Sequence, residues 1–136
     1  MKRLLFFALI ALSSLASAAE CFTYGAEIAL RGILSRHTFA EQPNYESIAN
    51  GDAAATYFFL TPKAPICVLA GNVNEGEYPA SGVRRLQLIF PLGKDGFGPL
   101  RPYLGKTIKC RGSLFHSMSG HHHSAVLIEG AKCHAL

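Results

Sequence analysis

Apolar and polar side chains alternate along the segment around residue 30: Ile28, Leu30, Gly32 and Leu34 fall on one face, and Ala29, Arg31, Ile33 and Ser35 on the other. A period of two is the spacing of a half-buried strand, which predicts a first strand over Ala26–His37. A long polar connection, Thr38–Asp52, follows; it holds Pro43-Asn44-Tyr45-Glu46-Ser47 and ends on the turn signal Asn50-Gly51-Asp52. Thr56–Leu60 reads as the second strand, stopped by Pro62 and Pro65, and Ile66–Leu69 as a short apolar strand or edge segment. Beyond an acidic loop, Gly71–Gly82, the third main strand is predicted over Val83–Phe90. Phe97, Leu100 and Leu104 then share one face at helical spacing, with Pro99 suited to a first turn, Gly105 to a stop, and Pro102 keeping the helix short. Thr107–Phe115 and Ala125–Gly130 are the last predicted strands, joined by a loop over His116–Ser124.

Two of these strands echo each other. Ile28 to Ser35 and Ile108 to Phe115 share Ile, Arg-Gly and Leu at equal spacing, each with a glycine in mid-strand. Such a glycine marks a bulge or sharp bend, as a small barrel needs to coil its sheet. The element order points to a mainly β fold, a small OB-fold-like antiparallel barrel with one short helix between strands three and four. An ordinary antiparallel sandwich is the alternative architecture.

The chain has 136 residues, 49% apolar and 16% charged, which excludes a multi-domain enzyme, a long coiled coil and a polytopic membrane protein. Residues 1–18 begin with Lys2 and Arg3, continue with an apolar run from Leu4 to Leu12 and end in Ala16-Ser17-Ala18. This is the pattern of a secretory signal peptide, leaving residues 19–136 as a single OB-like domain in the periplasm or secreted medium. The run is shorter than the roughly 20 residues that a membrane-spanning anchor needs, and Ala18-Ala19-Glu20 before Cys21 is not a lipoprotein signal. An even set of cysteines in an exported chain, Cys21, Cys67, Cys110 and Cys133, favours two disulfides over a metal cluster, and no C-x-x-C pair is present. Of the three possible pairings, Cys21 with Cys67 and Cys110 with Cys133 is preferred, because the second pair would flank one hairpin.

Charge is uneven. From Ala19 to Gly82 three basic residues face seven acidic ones, whereas beyond Gly82 eight basic residues face two. Export removes most nucleic acid from reach, so the basic half reads as a solvated face.

The densest chemistry lies in Phe115-His116-Ser117-Met118-Ser119-Gly120-His121-His122-His123-Ser124. Neutral imidazoles suit zinc or copper, and the Met118 thioether suits Cu(I). Successive histidines alternate faces, so His121 and His123, or His122 alone, are expected to meet a common point with His116. No G-x-S-x-G, H-E-x-x-H, P-loop or G-x-G-x-x-G motif occurs.

Cys-Phe-Thr-Tyr at Cys21–Tyr24, Gly-Ile-Leu at Gly32–Leu34, Pro-Asn-Tyr-Glu-Ser at Pro43–Ser47, Pro-Ile-Cys-Val at Pro65–Val68, Gly-Ser-Leu-Phe-His at Gly112–His116 and Gly-His-His-His-Ser up to Ser124 together resemble the bacterial exported family Domain of Unknown Function 4431. The resemblance runs over nearly all of the chain after the signal segment and implies a compartment but no reaction.

In an OB-fold the loop after strand one and the loop between strands four and five flank the ligand face. Those loops would bring Asn44, Tyr45 and Glu46 to His116, His121, His122 and His123, with Glu46 as the carboxylate of the histidine cluster, either as a ligand or behind an imidazole. The expectation is an exported, monomeric, non-enzymatic binding module. It engages a protein or cell-envelope component through residues 43–47 and 116–124, with Asn44, Tyr45, Glu46, His116 and His122 as ligand contacts. The alternative is a periplasmic zinc- or copper-binding protein using His116, His121, His122, His123 and Glu46.

Overall fold

A computed structural model describes residues 20–136; the segment expected to be a signal peptide, residues 1–18, lies outside the described residues. Among the described residues, eight strands form two sheets. Glu20–Thr23 (β1), Ile66–Leu69 (β4) and Ala80–Val83 (β5) make a three-stranded sheet in the order β1-β4-β5. Glu27–Ala40 (β2), Ala54–Pro62 (β3), Leu86–Ile89 (β6), Thr107–His116 (β7) and Val126–Ala135 (β8) close a barrel in the order β2-β3-β6-β8-β7. The helical turn Phe97–Leu100 (α1), continued by a 3-10 turn at Arg101–Tyr103, lies between the third and fourth barrel strands. The fold is mainly β, and its five barrel strands and short helix follow one another in the predicted order.

The alternation that identifies β2 is the alternation of its burial: Ile28, Leu30, Gly32 and Leu34 are buried, and the residues between them are exposed or half-exposed. β7 repeats it with Ile108, Cys110, Gly112 and Leu114. These two strands are antiparallel neighbours, and their echo is reciprocal: Ile28 sits opposite Gly112, and Gly32 opposite Ile108. Each glycine is required by a close approach. A Cβ at Gly32 would collide with the Thr61 carbonyl, and one at Gly112 would lie 2.5 Å from the Glu129 oxygen.

The barrel interior is filled by Leu34, Phe58, Leu60, Leu86, Leu88, Ile108, Leu114 and Ile128, and Ile66, Val68 and Val83 of the small sheet join the same core. Cys21–Cys67 ties β1 to β4 and Cys110–Cys133 ties β7 to β8, each between residues directly opposite in the ladder, as preferred from the sequence. Among the described residues no helix is long and apolar enough to cross a membrane.

Several boundaries differ from expectation. β2 runs on to Ala40, three residues past His37, because it keeps pairing with β3 as far as Ala40 opposite Ala54. The third predicted strand is two strands, with Arg84 and Arg85 between them, because β5 turns to pair with β4 while β6 enters the barrel. β1 carries no alternation of its own and owes its place to β4. The barrel is not wholly antiparallel: the chain crosses through α1 before the β7–β8 hairpin, and this returns β8 parallel to β6.

Candidate functional site

Past the end of the β2 alternation, His37, Phe39 and Glu41 follow one another on the outer side of the barrel, next to Tyr57 and Phe59 of β3. The strip is aromatic and closely packed. Phe59 is fully buried although it faces outward, because His37, Phe39 and the Arg85 guanidinium cover it; the Arg85 carbon lies 4.5 Å from the ring centre.

The loop 117–125 folds back over this strip and is held by one buried amide. Gln87, with no exposed surface, donates from Nε2 to the His121 carbonyl at 2.9 Å and accepts at Oε1 from the His123 N–H at 2.7 Å. Its own N–H donates to Ser124 Oγ, and that hydroxyl donates to the Val126 carbonyl. The clamp turns His121 and His123 to one side and His122 to the other, the alternation expected of successive residues. His123 stacks on Phe39 with centroids 3.8 Å apart and planes at 4°.

The carboxylate that meets the histidines is Glu41, not the expected Glu46. Its Oε2 accepts from His121 Nδ1 at 2.5 Å, and its Oε1 accepts from the Tyr57 hydroxyl at 2.7 Å and from His123 Nε2 at 3.3 Å. A carboxylate can only accept, so these ring nitrogens carry the hydrogens. Burial works against the charge on Glu41, but the hydrogen bonds from Tyr57, His123 and His121 outweigh it and hold the carboxyl below the ordinary range. Burial and the Glu41 carboxylate push the Tyr57 phenol far up, so it stays a donor. The Glu41 side chain is 7% exposed and that of His121 50%, so the carboxylate is covered while the imidazole edge reaches solvent.

The other loop, 41–53, is organised on a second carboxylate. Asp52 Oδ1 accepts from the Asn44 N–H and Nδ2, and Oδ2 from the Glu46 and Ser47 N–H groups, at 2.8–3.2 Å. Backbone donors from Ser47, Glu46 and Asn44 lower its pKa. Glu46 is exposed and contributes its backbone N–H to this cradle. The bond Gln42–Pro43 is cis, and Tyr45 takes the left-handed conformation, φ 59°, which presents its ring to the histidine loop. That ring lies edge-on to His121 at 5.6 Å, and a Cβ at Gly120 would be 3.0 Å from it. The two loops therefore meet at Tyr45, Gly120 and His121.

The remaining expected residues disperse. His122 packs against Phe115, and its Nδ1 accepts from the Met118 N–H. Burial, then the neighbouring His121 and His123, lower its pKa and favour the neutral ring. His116 lies between Tyr24 and Tyr78 and donates from Nδ1 to the Ser117 carbonyl. Among the described residues, no group of three His, Cys, Asp or Glu side chains is placed to hold a metal ion.

The segment from Arg85 through the histidine loop into β8 is where sequence comparison finds a counterpart. Residues 85–129 match the family Domain of unknown function (DUF4431). The DUF4431 match contains Gln87, the histidines from His116 to His123 and Ser124; Glu41, Tyr45, Asp52 and Tyr57 lie outside it, so it is narrower than the resemblance drawn from the motifs. Comparisons with curated proteins and with solved structures give no match.

Proposed function

We propose that this is an exported, monomeric, non-catalytic binding module that engages a protein or cell-envelope component through the face between loops 41–53 and 117–125. One observation carries the reading: the Tyr45–His121 edge contact, where both loops converge beside a covered carboxylate and an aromatic strip. In OB-like barrels this position, between the loops after strands one and four, is where ligands bind. Two features support a rigid docking surface. Tyr45 is held at a backbone conformation costly for a residue with a side chain, and His121 is fixed by Glu41 instead of being left to rotate. Two disulfides agree with an oxidising compartment outside the cytoplasm. Pull-down from envelope extracts tests the proposal: a partner captured by the unaltered protein should be lost with both Tyr45→Ala and His121→Ala. Capture unchanged in both variants overturns it.

A second reading, zinc or copper held at the histidine loop, draws support from the Glu41–His121 pair, since a carboxylate behind an imidazole is how metal-binding histidines are oriented. Calorimetric titration with either ion tests it. Binding weaker than about 10 µM, or binding that survives replacement of His121, His122 and His123 by Ala, removes it.

A further inference from the structure

Beside the aromatic strip, residues 79–85 face His116 and residues 123–125 across a cleft of about 460 Å³. Its lining includes Arg84, Arg85, His116 and His123 and contains no Asp or Glu. We propose that this cleft binds a phosphoryl group.

Arg85 is the centre of the argument. It is half-buried, its guanidinium carbon lies over the buried Phe59 ring, and Nη2 donates to the His123 carbonyl at 3.5 Å. Among the described residues no carboxylate lies within 4 Å of it; the ion pairs there are those of Glu41 with His121 and His123. A guanidinium has five N–H groups in a planar fork that fits two oxygens of a phosphate, and here one weak bond to a carbonyl is made. A partly buried cation without a counter-ion is costly, so a fixed Arg85 at the wall of a cleft is a site prepared for an anion. The surrounding groups agree. Arg84 adjoins it, exposed and, among the described residues, without an ion pair. His116, with Nδ1 donating to the Ser117 carbonyl, forms the opposite wall.

The nearby acids are engaged elsewhere. Glu41 is used by Tyr57, His121 and His123, and Glu77 Oε2 accepts from the Asn72 N–H. Ser124 is committed to Gln87 and Val126, so the hydroxyl does not define the ligand. Two guanidiniums at one cleft without a carboxylate in its lining exceed what a single carboxylate uses, and suit the charge and three oxygens of a phosphoryl group.

The cleft does not depend on the Tyr45 contact, and the test separates the two. Titration of the disulfide-bonded protein with inorganic phosphate, followed by nuclear magnetic resonance at fixed ionic strength, should shift Gly82, Arg84, Arg85, His116 and His123 together, with Kd on the order of 1 mM. Acetate should not. Arg85→Ala should weaken phosphate binding about 10-fold and Arg85→Lys less, because Lys keeps the charge without the fork. Arg84→Ala, at an exposed position, should weaken it about 3-fold with the fold untouched. Tyr45→Ala should leave it unchanged even if it abolishes partner capture. Vesicles identify the source: co-sedimentation with phosphatidylglycerol but not phosphatidylcholine, lost in Arg85→Ala, places the phosphoryl group on a lipid. Phosphate binding without vesicle binding places it on a soluble or polymer-borne ligand. An equal response to acetate, shifts scattered over the surface, or phosphate binding retained in the Arg84→Ala, Arg85→Ala double variant overturns the proposal.

Discussion

The two loops that meet at Tyr45 and His121 are held by opposite kinds of buried group. Loop 41–53 is gathered around a charge, the Asp52 carboxylate, which accepts four hydrogen bonds from Asn44, Glu46 and Ser47. Loop 117–125 is gathered around a neutral amide, Gln87, which uses its one acceptor and its donor on the backbone of His123 and His121. A carboxylate with only N–H donors around it depends on staying ionised, whereas an amide is indifferent to pH. Loop 41–53 therefore loses its anchor in acid, whereas the amide that anchors loop 117–125 does not titrate.

The largest expected effect comes from removing the neutral anchor. Gln87→Ala removes the partners of the His121 carbonyl and the His123 N–H and opens a cavity at the fully buried Gln87 position, for a loss of about 3 kcal/mol in urea denaturation. Faster amide exchange should be confined to loop 117–125. Protection lost equally in loop 41–53 would mean that the loops are one unit.

Acidification is expected to act next, in two stages. His122 has its folded pKa lowered below the ordinary 6.5, so the unfolded chain takes up that proton first and stability begins to fall as pH drops below 6.5. Glu41 and Asp52 also have lowered folded pKa values. Their contribution is complete above the ordinary values of 4.5 and 3.8 and is lost as pH falls through the folded ones. Asp52→Asn should flatten the lower stage and expose the Asn44, Glu46 and Ser47 amides to exchange at neutral pH, while His121 and His123 remain protected. Thermal denaturation between pH 7 and 3 measures both stages; an unchanged lower stage in Asp52→Asn would contradict the assignment.

The smallest effect sharpens the comparison at the point of contact. Tyr45→Gly removes the cost of a left-handed residue, roughly 1 kcal/mol, and also removes the ring against His121. The two nearly cancel, so stability should move by less than about 1 kcal/mol while partner binding is lost. A large destabilisation would make Tyr45 a structural residue of the loop.

These anchors explain what the sequence could and could not disclose. The strands were legible because Ile28, Leu30 and Leu34, and Ile108, Cys110 and Leu114, bury alternate positions along each strand. The histidine loop and the Pro43–Ser47 loop were legible as unusual composition, and their meeting followed from the element order. Glu41 is hidden in the sequence because it lies beyond the predicted end of the strand at His37 and outside the Pro43–Ser47 motif, which holds Glu46. Continuing the same alternation through His37 and Phe39 reaches Glu41. Gln87 carried no such signal: within Leu86-Gln87-Leu88 it looks like an outward polar residue, and only the loop folding over it makes it the centre of the clamp. Arg85 is similar, since its worth depends on Phe59 beneath it.

β2 joins two neighbours that are very different distances away along the chain. Its far end meets β3 just across one loop, with Ala40 opposite Ala54, whereas its near end meets β7 with Glu27 opposite Ser113. Closing the barrel therefore joins β2 to a strand far along the chain, whereas the β2–β3 and β7–β8 pairings are local. The loop-closure entropy of that encounter precedes the pairing that rewards it, so the seam is expected to form slowly. Weakening the β2–β7 seam, for example with Ile28→Ala, should lower the refolding rate in stopped-flow experiments if the seam is formed in the transition state, and should only speed unfolding if it zips afterwards. The β2–β7 seam lies on the opposite flank of β2 from the aromatic strip, so the seam and the proposed binding face can be altered independently.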